Sequence, residues 1–335
     1  MKKLFIGIDI SKDVFDFYGI SETGETVIPS GIHFNSKKGI KSFLTMVKKY
    51  TDYEPHMCME HTGLYGYLLM TEFSSASMRF SVINPLEMKL SSGLVRGKND
   101  AVDALRIAKY ALANRFDLKP FTLASREIRR LKILMAMRDG QVKIMVQQKN
   151  SLKAFKLVAA DISLAKELKE NQKLIDAHQK VIAKLEKQML EIIRGNVQLS
   201  DSYRKITKVI GVGPLTAIKC IVETENFSKF DDPRKFACHS GLAPFEYRSG
   251  SSVRKRASTS PISDKNMKAI LFKAASSALQ HDPQLKNYYK RKTEEGKHKL
   301  SVINAIANKI ILRIFAVVKR DEPFVKLPHN YLLLS

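Results

Sequence analysis

Four acidic residues lie where carboxylates can perform chemistry rather than only solvate a surface. Asp9 and Glu60 each end an apolar run, and Asp100 and Asp103 lie three residues apart at the start of a predicted helix, on one face of it. Carboxylates at the ends of neighbouring strands, faced by a helix with two more, can converge on one spot. Such a cluster repels itself unless divalent cations neutralise it, and Mg²⁺ prefers oxygen ligands. The four acids therefore predict a Mg²⁺ site, also open to Mn²⁺, that suits phosphate chemistry.

Each acid also has a simpler explanation. Asp100 is suited to cap a helix, Asp103 is a first-turn acid that the helix dipole favours, and Glu60 is suited to cap the helix after it. Asp9 is harder to explain in this way, because an acid that closes a core strand has little structural reason to be there. The set of four is stronger evidence for a site than any of its members.

A serine in the second half of the chain is a candidate nucleophile. Ser249 precedes a glycine in a stretch of small residues, 237–250, which predicts a loop, and a helix is expected from about Asp264. A serine in such a loop is accessible, although Ser-Gly is also ordinary loop composition. Four cations nearby are candidates for phosphate positioning or for plain backbone contact. They are Arg248, Arg254, Lys255 and Arg256.

The pattern of elements around the acids predicts an α/β fold. Apolar and alternating runs predict strands at 4–10, 13–20, 27–34, 57–60 and 80–83. Helices are expected after Asn35, from about Leu64, and beyond Pro85 and Asp100. Three strands, helix, strand, helix, strand and further helices is the element order of a ribonuclease H-like domain, here placed at residues 1–124.

Residues 125–200 are predicted to form a helical connector, since they carry no strand signal and almost no Gly or Pro. Residues spaced alternately three and four apart form a heptad seam, apolar at all but two polar positions, which predicts a coiled-coil helix or an antiparallel helical hairpin. The seam favours a homodimer or homotetramer, the alternative being a helix packed within its own domain. Its members are Leu168, Asn171, Ile175, His178, Ile182, Leu185, Met189 and Ile192.

Residues 201–335 are predicted to form a basic, mainly α-helical domain. Gly211 and Gly213 punctuate two apolar helices in the manner of a helix-hairpin-helix element, in which glycines let backbone N–H groups approach a phosphate. A plain connector between helices is the alternative.

Charge points to a nucleic-acid partner. The chain carries 57 Lys+Arg against 33 Asp+Glu, for a net charge of +24, and residues 1–124 account for only +3 of it. A cationic field of that size attracts polyanions. The three scattered cysteines form no CxxC pair, and no apolar stretch is long enough to span a membrane, which predicts a cytoplasmic protein without a zinc site.

The motifs around the acids resemble those of a known family, the DEDD transposases of IS-one-ten insertion sequences. The segments that carry the resemblance are Gly7-Ile-Asp9-Ile-Ser-Lys, Met59-Glu60-His-Thr-Gly63 and Gly97-Lys98-Asn99-Asp100-Ala-Val-Asp103-Ala. The resemblance implies a RuvC-like N-terminal domain with Asp9, Glu60, Asp100 and Asp103 as the metal-binding tetrad. Asn99 departs from the Thr or Ser that is more frequent there.

The second half resembles the same family, through Gly241-Leu-Ala-Pro244 and the Ser249-Gly250 pair that precede a basic stretch and a helix. The resemblance implies that Ser249 is the nucleophile, acting with the acids in a composite site, although Ser251 and Ser252 lie close enough to take that role. It also implies donor and target DNA as substrates and a structured guide RNA from the element.

The leading hypothesis is a transposase or recombinase with covalent serine chemistry. A site-specific DNA invertase similar to Piv shares the same site. A hydrolytic RuvC-like junction nuclease would keep the acids and leave Ser249 structural. An architectural nucleic-acid-binding protein would need neither metal nor serine.

Overall fold

The structure is a computed structural model that describes residues 1–91, 100–159, 161–249, 253–259, 262–320 and 324, with the backbone alone at 100–101, 245–249 and 253–258. The chain divides into two compact units, Met1–Leu123 and Ala124–Ser335. The three-domain division predicted above remains a prediction.

A mixed five-stranded sheet organises the first unit. Its order is β3-β2-β1-β4-β5, with β1 antiparallel to β2 and parallel to β4. The strands are β1 (Lys2–Ile10), β2 (Val14–Ser21), β3 (Thr26–Phe34), β4 (Tyr53–Glu60) and β5 (Phe80–Ile83). This is the strand arrangement of the ribonuclease H-like α/β fold, as the sequence predicts.

Helices cover both faces of this sheet. They are α1 (Lys37–Val47), α2 (Tyr67–Ser75), α3 (Pro85–Ser91) and α4 (Asp100–Ala113). Ile6 and Ile8 share a core with Phe43 of α1 and Phe73 of α2. On the opposite face, the core includes the residues Phe5, Cys58, Ile107, Ala108 and Ala111 of β1, β4 and α4. Side chains alternate between these two cores along each strand, as a pleated backbone requires.

Two long helices open the second unit, α5 (Arg126–Val158) and α6 (Ala165–Arg194). They lie side by side and antiparallel, since Arg138 Nε contacts Glu186 Oε1 at 2.9 Å and His178 Nδ1 lies 2.6 Å from Gln141 Oε1. Ile182 is a buried seam residue. The antiparallel hairpin, one of the two predicted alternatives, is therefore the arrangement within the chain.

The rest of the second unit is mainly α-helical. It contains α7 (Val197–Thr207), α8 (Pro214–Glu223), α9 (Pro233–His239), β6 (Phe245–Ser249), β7 (Val253–Ser258), α10 (Lys265–His281), α11 (Pro283–Glu294) and α12 (Lys299–Lys319). The loop predicted over 237–250 is wrong at both ends, because 237–239 close α9 and 245–249 form a strand paired with β7. Cross-strand pairing with β7 stabilises this strand, and its Phe245 and Tyr247 have a high strand preference.

Within the described residues, α12 is the one helix that is long and apolar enough to cross a membrane by length and composition. Its residues Val302, Ile306, Ile310 and Ile314 are buried in the core of the second unit, which explains that composition.

Candidate active site

The carboxyl ends of β1 and β4 bring two of the predicted acids together. Ile8 pairs with Met59 in the parallel register, so Asp9 and Glu60 occupy the next positions of the two adjacent strands. Ile8 and Met59 face the core that α1 and α2 cover. Because side chains alternate, Asp9 and Glu60 lie on the opposite face, on the side of α4. Both residues are partly exposed, so an ion or a ligand can reach them.

Helix α4 brings a third acid to this face through a close approach at Gly7. A Cβ built at Gly7 would lie 2.1 Å from the Ala104 carbonyl oxygen and 2.4 Å from the Ala108 nitrogen. The two backbones are therefore in direct contact, two residues before Asp9 on the strand and one residue after Asp103 on the helix. Only glycine permits this close approach of the two backbones. The contact therefore gives a steric reason for the glycine at position 7.

Arg106 fixes the side chain of Asp103. Its Nη1 contacts Asp103 Oδ1 at 2.6 Å, and both side chains are about a quarter exposed. The pair places a guanidinium beside the acidic face, where it stabilises the Asp103 carboxylate. Asp100 is the first residue of α4, but its side chain lies outside the described part of the structure.

Asp16 is a further acid of this site that the sequence patterns above did not single out. It pairs directly with Asp9 across the antiparallel β1–β2 ladder and is only 6% exposed. Directly paired residues share a face of the sheet, so Asp16 adds a carboxylate to the same side. The available signal was a charged residue between Phe15 and Phe17, both of which are buried.

A side-chain amide ties together the loops at this edge of the sheet. Asn35 Nδ2 donates to the Ser11 carbonyl oxygen at 3.1 Å and to the Tyr65 carbonyl oxygen at 3.0 Å. Ser11 follows β1 and Tyr65 follows β4, so this residue fixes the two segments that leave the acidic strand ends. The sequence predicts a helix cap at Asn35 and Ser36, and Ser36 provides it by accepting from the Gly39 nitrogen.

The candidate nucleophile stands at the end of a β-hairpin in the second unit. Ser249 is the last residue of β6 and pairs with Val253, while Arg248 pairs with Arg254 and Tyr247 with Lys255. Arg256 follows in β7. The side chains of these residues, and all of Ser251 and Ser252, lie outside the described part of the structure.

The two candidate phosphate-binding glycines have different surroundings. Gly211 has a φ of +89°, and a Cβ there would lie 2.4 Å from the Ala274 carbonyl oxygen, so close packing on α10 accounts for this glycine. Gly213 is exposed and caps the N-terminus of α8, and no described atom lies within 4 Å of the position a Cβ would take there. Phosphate contact at either position remains a prediction.

These features define a ribonuclease H-like domain with an acidic edge, followed by a basic helical unit. Two family profiles match the chain, one described as "Transposase" over residues 6–157 and one as "Transposase IS116/IS110/IS902 family" over residues 203–290. The chain belongs to this family of transposases, enzymes that cut and rejoin DNA.

Relatives match along most of the chain. The pilin gene-inverting proteins of Moraxella bovis and Moraxella lacunata are each 25% identical to it, over 98% of this chain and 100% of theirs. A structure of Thermus thermophilus RuvC in complex with a Holliday junction substrate covers 36% of this chain and 99% of its own, at 12% identity and a TM-score of 0.29.

Proposed function

We propose that this chain is an insertion-sequence recombinase that cuts and rejoins DNA by transesterification, with Asp9, Glu60, Asp100 and Asp103 as its metal-binding acids and Ser249 as its nucleophile. One observation carries the proposal furthest. Asp9 and Glu60 lie side by side on one face of the sheet, and Gly7 brings the α4 backbone against that face beside Asp103.

The donor set fits a hard divalent cation. Asp9, Glu60 and Asp103 offer oxygen ligands, and the adjacent Asp16 adds negative charge that a cation would neutralise. Bound Mg²⁺, or Mn²⁺ in its place, supplies charge stabilisation at a phosphate. The chain's own contribution is to hold the carboxylates in fixed positions, through the β1–β4 ladder and the backbone contact at Gly7.

The proposed reaction consists of two successive transesterifications. The Ser249 hydroxyl attacks a DNA phosphodiester, its Oγ–P bond forms as the bond to one sugar oxygen breaks, and that oxygen takes up a proton. A strand-end hydroxyl then attacks the phosphoserine, which releases the serine and rejoins the DNA. Serine needs a base for this, and a carboxylate of the acidic set is the candidate.

The β6–β7 hairpin is proposed to bind nucleic acid. Arg248 and Arg254 occupy directly paired positions, and like charges there are unfavourable unless an anion neutralises them. Lys255 and Arg256 extend the cationic stretch. Residues 125–335 hold nearly all of the net positive charge, which suits DNA together with an element-encoded guide RNA whose backbone the protein contacts.

The proposed activity also bears on the oligomeric state and the cellular location of the protein. Recombination joins more than one DNA segment, so a homodimer or homotetramer in the cytoplasm is expected. Light scattering with and without nucleic acid tests this, and a monomer under both conditions would refute it.

Covalent trapping tests the serine chemistry. The protein is incubated with DNA from the element's ends, with and without the RNA that they encode, and Mg²⁺, then separated on a denaturing gel and mapped by mass spectrometry. An adduct at Ser249 is expected, absent in Ser249→Ala and retained in Ser251→Ala and Ser252→Ala. Cleavage without an adduct, unchanged in Ser249→Ala, would leave a hydrolytic nuclease, and activity retained in Asp9→Asn would remove the acidic site.

Inversion is the second candidate, favoured by the full-length similarity to pilin gene-inverting proteins. The acids and the serine would act in the same way, and only the arrangement of the DNA sites differs. A plasmid with two sites in inverted orientation distinguishes the two. Inversion of the intervening segment would favour an invertase, and excision or insertion of an element would favour a transposase.

A further inference from the structure

A second group of metal-ligand side chains lies in the C-terminal unit, separate in sequence from the acidic set. Glu223 ends α8, His239 ends α9 and Asp264 caps the N-terminus of α10. One ligand atom from each lies within 4.8 Å of those from the other two. We propose that Glu223, His239 and Asp264 bind one divalent transition-metal ion of the zinc type.

Each side chain retains a ligand atom for this role. Glu223 Oε1 contacts Lys219 Nζ at 2.8 Å, which leaves Oε2 directed to His239 Nε2 at 3.8 Å. His239 Nε2 is buried and has no hydrogen-bond partner among the described residues. Asp264 uses Oδ1 to accept from the Met267 nitrogen at 2.9 Å, and no hydrogen bond from the described residues occupies its second oxygen.

The spacing is close to that of a coordinated ion. Ligands about 2.1 Å from a tetrahedral ion are about 3.4 Å from one another. The 3.8 Å between Glu223 and His239 needs only a few tenths of an ångström of closure. The third side chain lies within side-chain adjustment of the same point, since 4.8 Å is the upper bound for all three separations. A histidine with two carboxylates is a ligand set for zinc-type ions, whereas Mg²⁺ prefers oxygen alone.

The charge of the group favours a cation. Glu223 and Asp264 are two carboxylates, and Lys219 neutralises one of them. Asp139 and Lys132, which carry opposite charges, also lie near enough to act electrostatically on Lys219 and Glu223 respectively. A net negative charge thus lies inside a unit that is otherwise strongly positive.

The position of the group gives the ion a structural consequence. The Asp264 nitrogen donates to the His239 carbonyl oxygen at 2.8 Å. This hydrogen bond joins the two ends of the segment 239–264, which includes Ser249. An ion held by His239 and Asp264 would link the same two points a second time. It would hold the ends of the serine-bearing stretch together.

Zinc titration of the full chain tests the proposal without DNA, so its result is independent of the recombinase chemistry. The parent protein carries Asp9→Asn and Asp103→Asn, which removes two of the four metal-binding acids, and calorimetry follows added ZnCl₂ in a reducing buffer. We expect one site per chain. Asp264→Asn, which keeps the helix cap, and His239→Gln should each weaken it at least about tenfold, while the exposed His281→Gln should not change it.

Lys219→Met provides a test in the opposite direction. It frees Glu223 from its ion pair and raises the net negative charge, so zinc should bind more tightly. Co²⁺ should give the visible absorption of a tetrahedral site in the parent and not in Asp264→Asn. Absence of a zinc site in the parent, or binding unchanged in both Asp264→Asn and His239→Gln, would overturn the proposal. Failure of Mg²⁺ to bind the wild-type protein would bear on the acidic set alone.

Discussion

Gly7 offers a direct test of how the fold positions the acids. Replacing it with alanine places a Cβ 2.1 Å from the Ala104 carbonyl oxygen and 2.4 Å from the Ala108 nitrogen. Both atoms belong to the backbone of α4, so no side chain can rotate away. Since non-bonded carbon contacts normally lie at about 3.5 Å, α4 must move from β1 by about 1 Å or more. That movement separates Asp103 from Asp9.

Two effects of Gly7→Ala follow, one on stability and one on rate. Overpacking of this kind costs about 1–3 kcal/mol, which lowers the melting temperature of the first unit by about 3–10 °C. A displacement of about 1 Å between catalytic groups lowers the rate of DNA cleavage by about 100-fold. DNA affinity should change little, because the excess positive charge lies in the other unit.

Gly140→Ala is the matched control. Gly140 lies in the middle of α5, and no described atom lies within 4 Å of the position a Cβ would take, so the same chemical change there should raise stability by up to about 1 kcal/mol. Thermal melting and cleavage of end DNA, measured below the melting temperature of the variant, compare the two proteins. If Gly7→Ala melts and cleaves like the wild type, the contact between β1 and α4 does not position the acids.

Three further results are expected. Burial, with Arg79 nearby, lowers the pKa of His56 to about 4, so the folded state stays neutral while the unfolded chain takes up a proton; the free energy of unfolding should therefore fall as pH decreases from about 6.5 to 4, and less steeply in His56→Gln. Arg313→Met leaves Asp282, which is 4% exposed, without its 2.5 Å ion pair, and should cost about 3 kcal/mol in urea unfolding. Raising salt from about 0.05 to 0.2 M should weaken DNA binding at least about 100-fold in a filter-binding assay, and an unchanged affinity would contradict a phosphate-dominated interface.

The sequence predicts the first unit well because its signals are local. Each strand is an apolar or alternating run, and the period of two also places Asp9 and Glu60 on the same face once the strands are neighbours. The heptad seam of α6 can also be predicted from the sequence, but the helix that it packs against cannot. The pattern is the same whether it packs on another chain or, as here, on α5.

Features that depend on distant partners could not be predicted. The reason for Gly7 is the backbone of α4, nearly one hundred residues away, and Asp16 belongs to the acidic face only through its register with Asp9. The β6–β7 hairpin depends on pairing between two short strands whose partner and register no local pattern specifies. In the same way, Glu223, His239 and Asp264 form no motif in the sequence and become a group only where three helix ends meet.

Most of the net positive charge and the four candidate metal-binding acids lie in different parts of the chain. A carboxylate cluster that handles phosphates repels DNA, and the first 124 residues carry a net charge of only +3 with which to overcome that repulsion. The remaining residues carry the other +21, enough to hold a polyanion through its backbone regardless of sequence. Affinity for DNA can therefore come from one unit. The acids lie in the other unit and remain available for divalent cations, because no excess of nearby lysine and arginine neutralises them. In the proposed reaction, Ser249 belongs to the same cationic part of the chain that would bind the DNA.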